Sequence, residues 1–113
     1  MGPFAAGQII VLPFPFSDLS HSKYRPALLL APAGRGDWLA CQITSNPYSD
    51  PAPVMLREED FAAGTLAVVS YARPAKLFTA NEELFASIPA RAKANKLDEV
   101  KESVIALLRG EGG

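Results

Sequence analysis

The chain carries one cysteine, Cys41, and one histidine, His21, in 113 residues. A single thiol excludes a disulfide framework, and one residue of each kind cannot assemble a His/Cys zinc site within one chain. The expectation is chemistry without metal or cofactor. Long apolar runs are also missing. The longest, such as Ala27 to Ala33, fall far short of the roughly 20 residues that cross a bilayer, and no basic region precedes an apolar stretch at the N-terminus. These absences predict a cytoplasmic protein with no membrane segment. Basic excess is absent as well, the net charge being −1, so any contact with a polyanion must use a local patch. The stretch from Ser20 to Arg25 holds His21, Lys23 and Arg25 with no acid, whereas Glu58-Glu59-Asp60 and Glu82-Glu83 concentrate negative charge. Internal repeats and low-complexity tracts are lacking too.

What is present is an ordinary globular composition, 49% hydrophobic and 20% charged, which excludes a disordered or coiled-coil reading. The length predicts one domain over residues 1–113, with a modest core and a cleft that is shallow or shared with a second subunit. Gln8 to Leu12 reads as a first strand ending near Pro13, because Pro13 and Pro15 oppose central-strand pairing. A loop from Phe14 to Tyr24 follows. A second strand is predicted from Pro26 to about Ala31, with Arg25 at its mouth. The turn composition of Ala33 to Asp37 makes a hairpin with a third strand, Trp38 to Ile43, which Thr44-Ser45-Asn46-Pro47 ends. In an antiparallel hairpin the start of one strand lies beside the end of the other, so Arg25 and Thr44 become neighbours.

Further on, the pattern predicts a loop from Tyr48 to Pro53, a strand from Pro53 to Arg57 and a helical turn from Glu58 to Ala62. It then predicts a strand from Leu66 to Ser70 and an extended piece from Arg73 to Phe78 broken by Pro74. Asn81 is placed to cap a short helix to Ile88. From Asn95, the residues Leu97, Val100, Val104, Leu107 and Leu108 form a helical stripe, with Gly110 beyond its end. Five or six short strands and a terminal helix predict a mainly β (α+β) fold: a small, strongly bent antiparallel sheet or SH3-like barrel with the helix on an open face.

The segments Gly7 to Leu19 (GQIIVLPFPFSDL), Lys23 to Leu28 (KYRPAL), Gln42 to Asn46 (QITSN) and Ser70 to Thr79 (SYARPAKLFT) closely resemble, in order and spacing, the MazF/PemK family of toxin endoribonucleases. The resemblance spans roughly residues 7 to 108 and looks like the PemK-like branch. It implies an SH3-like barrel, a homodimer, a cognate antitoxin and metal-independent cleavage of single-stranded RNA. It also implies that Arg25, directly before proline, is the active-site arginine, and that the active-site hydroxyl is Thr44, with Ser45 adjacent. Some relatives place an acid on the later strand, but Val69 to Arg73 has none, and Asp18 is only a distant substitute.

These residue types suit that chemistry. Attack by an internal 2′-hydroxyl builds negative charge on the phosphoryl oxygens, which a guanidinium can hold with forked donors. Arg25 is thus the expected stabiliser and Thr44 a positioning hydroxyl, since neither is a good base. His21, with an unperturbed pKa near 6.5, is the candidate acid or base. Ser17, Lys23, Tyr24, Asn46, Arg73 and Lys76 are candidate RNA contacts. Plainer roles compete: His21 as a solvated loop residue, Phe14 and Phe16 as core anchors rather than base-stacking rings, Arg73 and Lys76 as charges that protect an edge strand, and Cys41 as a buried small hydrophobe. Two other functions stay open, a growth inhibitor of the same fold that binds a protein such as DNA gyrase, and an inactive SH3-like binding module.

Overall fold

The computed structural model describes residues 3–15 and 22–111. Within them lie seven strands: β1 (Gln8–Pro15), β2 (Ser22–Gly34), β3 (Asp37–Thr44), β4 (Val54–Leu56), β5 (Phe61–Gly64), β6 (Ser70–Asn81) and β7 (Ser87–Ala92). One helix, α1 (Ala94–Leu108), follows. The strands form a single antiparallel sheet in the order β4-β6-β3-β2-β1-β7-β5, curled into a nearly closed barrel. The SH3-like barrel with a terminal helix is therefore the observed architecture, with seven strands rather than five or six.

Two buried clusters lie on the two faces of the sheet. Ile9, Leu28, Leu30, Cys41, Ile43 and Leu56 share one with Val100 and Val104 of α1. Burying each of those valines contributes about 1.5 to 3 kcal/mol, which holds the helix to the barrel. Ile10, Leu12, Ala27, Leu29, Trp38 and Ala40 make the other, with Phe14 and Phe78 packed against it. Helix α1 ends as its stripe predicts: Gly110 takes φ +73°, its N–H donates to the Leu107 carbonyl, and Glu111 N–H donates to that of Ala106. That pattern satisfies carbonyls the helix leaves unpaired.

Several boundaries differ from expectation, for reasons that concern pairing. Strand β1 runs through Pro13 to Pro15, opposite Tyr24 and Ser22 of β2. Peptide groups along a strand face alternate neighbours. The carbonyl of Val11 accepts from Ala86 on the β7 side, so Pro13 and Pro15, of the same parity, lack their N–H on that side too. Pairing of β1 with β7 stops at Val11, so no ladder bond is lost. Strand β2 likewise starts at Ser22, and Pro26 lies inside it opposite Val11. Its missing N–H faces β3, where pairing begins only at Ala27↔Gln42.

The piece expected to break at Pro74 is part of continuous β6, in which Arg73, Pro74, Ala75 and Lys76 bulge opposite the single residue Gln42 of β3. The strand predicted over Leu66 to Ser70 is not formed before Ser70, and Val68 and Val69 are exposed. Residues expected to make a helix to Ile88 form one 3-10 turn, Glu82–Leu84, which Asn81 does cap, and then β7. The other expected turn shortens to Glu58–Asp60, and the expected strand before it to Val54–Leu56.

Candidate active site

A cleft of about 320 Å³ is lined by Phe14, Arg25, Gln42, Ile43, Thr44, Ser49 and Arg73. It opens where β2 and β3 part. Their last pair on this side is Ala27↔Gln42, and continuing that register two residues sets Arg25 opposite Thr44. Pro26 offers no N–H to carry the ladder further, so the fork follows from the Arg-Pro dipeptide itself. Arg25 is held from its other side by pairing with Leu12 of β1, so the mouth it occupies belongs to the β2–β3 ladder and not to the strand.

Thr44 closes β3, and its Oγ1 accepts a hydrogen bond of 3.1 Å from the Asn46 N–H. That bond occupies a lone pair and leaves the hydroxyl proton to be donated elsewhere. The next turn, Pro47–Ser49, is capped by the Asn46 side chain, whose Oδ1 accepts from Tyr48 N–H at 3.0 Å. Ser49 comes to the cleft through this turn. On the far wall, Arg73 donates from Nη1 to Gln42 Oε1 at 3.3 Å and from Nη2 to the Ser49 carbonyl. Its Nε stands 3.8 Å from Oδ2 of Asp50, whose side chain is fully buried. The cleft therefore has a guanidinium on each side, a hydroxyl at one strand end, and a carboxylate shut away behind Arg73. Phe14 meets Phe78 edge to face at 4.9 Å between ring centres, so it is both a core anchor and part of the cleft lining.

Of the residues singled out in the sequence, Arg25, Thr44 and Arg73 meet here. Ser45 is exposed and is not among the lining residues; Asn46 acts through the turn it caps. Lys23, Tyr24 and Lys76 are exposed outside the lining, Lys23 sharing with Arg25 the sheet face that alternation assigns to it. His21 and Ser17 lie outside the described residues, as do Phe16 and Asp18. Gln42, Ser49 and Asp50 were not singled out as site residues. Gln42 was within reach, because it stands two residues before Thr44 and so shares its face. Cys41 faces the opposite cluster, where burial, reinforced by the Asp50 charge, pushes its thiol up to about 12. It is a protonated core residue, and no nucleophile.

The fold and this cleft define a class: small antiparallel barrels that gather an arginine and a hydroxyl at forked strand ends. Solved structures share the fold. The chain matches the MazE-MazF structure (Form-III) from Deinococcus radiodurans at 28% identity, over 92% of this chain and 94% of that one, with a TM-score of 0.72. MazF from the same organism, solved as Form-I, matches at 28% identity and a TM-score of 0.69. An endoribonuclease in complex with its cognate antitoxin from a mycobacterial species shares the fold, at 15% identity over 93% of each chain and a TM-score of 0.68. No protein-family model and no curated protein matches the sequence. In its fold and its ordered motifs the chain resembles MazF. Among the described residues no helix is long and apolar enough to cross a membrane.

Proposed function

We propose that the protein is a toxin endoribonuclease that cleaves single-stranded RNA without a metal, works as a homodimer and is neutralised by a cognate antitoxin. The observation that carries this reading is the shared cleft of Arg25 and Thr44 at the β2–β3 fork. The likeness to MazE-MazF and to an antitoxin-bound endoribonuclease supports it.

In the proposed reaction the ribose 2′-oxygen attacks phosphorus as it gives up its proton, the P–O5′ bond breaks, and the departing 5′-oxygen takes a proton. The products are a 2′,3′-cyclic phosphate and a 5′-hydroxyl. Arg25 offers forked N–H donors to the phosphoryl oxygens as charge builds on them. The Thr44 hydroxyl, already accepting from Asn46, donates its proton to one of those oxygens or orients the 2′-hydroxyl. A guanidinium and an aliphatic hydroxyl are poor bases, so the proton acceptor is a further group, for which His21 is the candidate by its chemistry.

The test is incubation of purified protein with mixed-sequence RNA in excess EDTA. Cleavage is expected to persist, and Arg25→Ala to reduce it by about 10² to 10³, the usual loss for a group that stabilises the transition state. Full activity of that variant, or activity abolished by EDTA and restored by a divalent metal, contradicts the reading. Intact RNA together with induced DNA damage would instead favour a non-enzymatic growth inhibitor.

A further inference from the structure

Asp50 has the surroundings of an aiming device. Its side chain is fully buried, although ionised carboxylates are costly to take out of water. Both oxygens are tied to backbone: Oδ1 accepts from Ala52 N–H at 2.9 Å, and Oδ2 from Ala75 N–H at 3.1 Å. The first bond fixes the loop after Ser49. The second catches a donor freed by the β6 bulge. The carboxylate is thus immobile, and Arg73 Nε, which is buried and makes no hydrogen bond among the described residues, faces it.

A guanidinium has five N–H groups. In Arg73 one goes to Gln42 and one to the Ser49 carbonyl, while Nε stands 3.8 Å from Asp50 Oδ2 without a hydrogen bond among the described residues. One N–H on each terminal nitrogen remains for phosphate oxygens, and the side chain is 20% exposed on a residue that lines the cleft. We propose that Asp50 is a positioning residue that aims Arg73 at a phosphate of the bound RNA, giving the cleft a second guanidinium contact across from Arg25. This role rests on the RNA-cleaving function proposed above.

The experiment measures affinity for short 2′-O-methyl RNA, which lacks the attacking hydroxyl, across a range of salt concentrations. It compares wild type, Asp50→Asn, Arg73→Gln and the double variant. Each single variant is expected to bind about tenfold more weakly and to lower the slope of log affinity against log salt by about 0.7, the share of one phosphate contact on a single strand. The double variant should bind no worse than Arg73→Gln alone, because the two residues act as one unit. An unchanged salt slope in Asp50→Asn, or additive losses in the double variant, would show Asp50 to be structural only and overturn the proposal. If Asp50→Asn does not fold, Arg73→Lys decides. Lysine keeps the charge but cannot span Gln42, Ser49 and Asp50 together, so wild-type affinity and slope in that variant overturn the proposal. Wild-type protein that binds no RNA overturns both this role and the proposed function. Normal wild-type binding with unaffected variants overturns this role alone.

Discussion

The two ends of the β2–β3 hairpin are built from the same pair of strands and do opposite things. At one end Gly34 pairs with Asp37 across Arg35 and Gly36, both with positive φ, the two-residue turn whose twist suits a hairpin. Polar groups are tied up there: Glu82 N–H donates to the Gly36 carbonyl at 2.9 Å, and Trp38 Nε1 donates to Glu82 Oε2 at 3.0 Å. At the other end the ladder stops at Ala27↔Gln42, and Arg25 and Thr44 both line the cleft that opens there. The closed end ties its polar groups across the turn, whereas the forked end opens into the cleft. The candidate site sits where pairing stops.

That contrast can be broken at three points, in falling order of effect on catalysis. Thr44→Val keeps the size of the side chain but removes its hydroxyl, and turnover of RNA should fall by about 10 to 100-fold. Thr44→Ser, which can still accept from Asn46 and still donate, should recover most of it; equal rates for valine and serine would remove the hydroxyl from the mechanism. Pro26→Ala supplies an N–H directed at β3. The ladder should then extend toward Thr44 and narrow the fork, lowering kcat/KM by about tenfold through misplacement of Arg25, with slowed hydrogen exchange at residue 26 as the structural sign. An unprotected amide with unchanged kcat/KM would mean that the proline does not hold the fork open. Gly36→Ala acts at the closed end. Its φ of +81° is strained for a side chain, and the new Cβ would lie 3.3 Å from Glu82 Cγ, so stability should drop by about 1 to 2 kcal/mol, seen as a lower Tm. Cleavage by the folded protein well below that Tm should match wild type, and a loss there would mean that the two ends are coupled.

Part of the candidate cleft is legible in the sequence, because Arg25 and Thr44 need only a hairpin to come to one cleft. Their positions flank one turn, and antiparallel geometry does the rest. Asp50 and Ser49 were not legible. They come to Arg73 through a 3-10 turn that folds a loop against β6, and nothing in the local pattern of Pro47 to Pro53 marks which of its residues will be buried. The misread segments share another cause. Val68 and Val69 look like strand residues by propensity, yet they lie between β5 and β6 without a partner strand among the described residues, and a strand is made by its neighbours. Pro13 and Pro15 looked like strand breakers because the rule against proline applies to a missing N–H that a neighbour needs.

By itself, then, the sequence determined the barrel's raw materials: a mainly β chain with a capped terminal helix, one thiol buried in its core, and an ordered set of motifs that brings an arginine and a hydroxyl to one hairpin. Its local chemistry was enough because periodicity, turn residues and hairpin register act over short stretches. Only the tertiary structure decided which neighbour each proline's absent N–H would face, and that the β6 bulge would set Arg73 beside Gln42 with Asp50 buried behind it. Those outcomes depend on which strands pair and where pairing ends, and the energy that selects them comes from contacts between residues far apart in the chain.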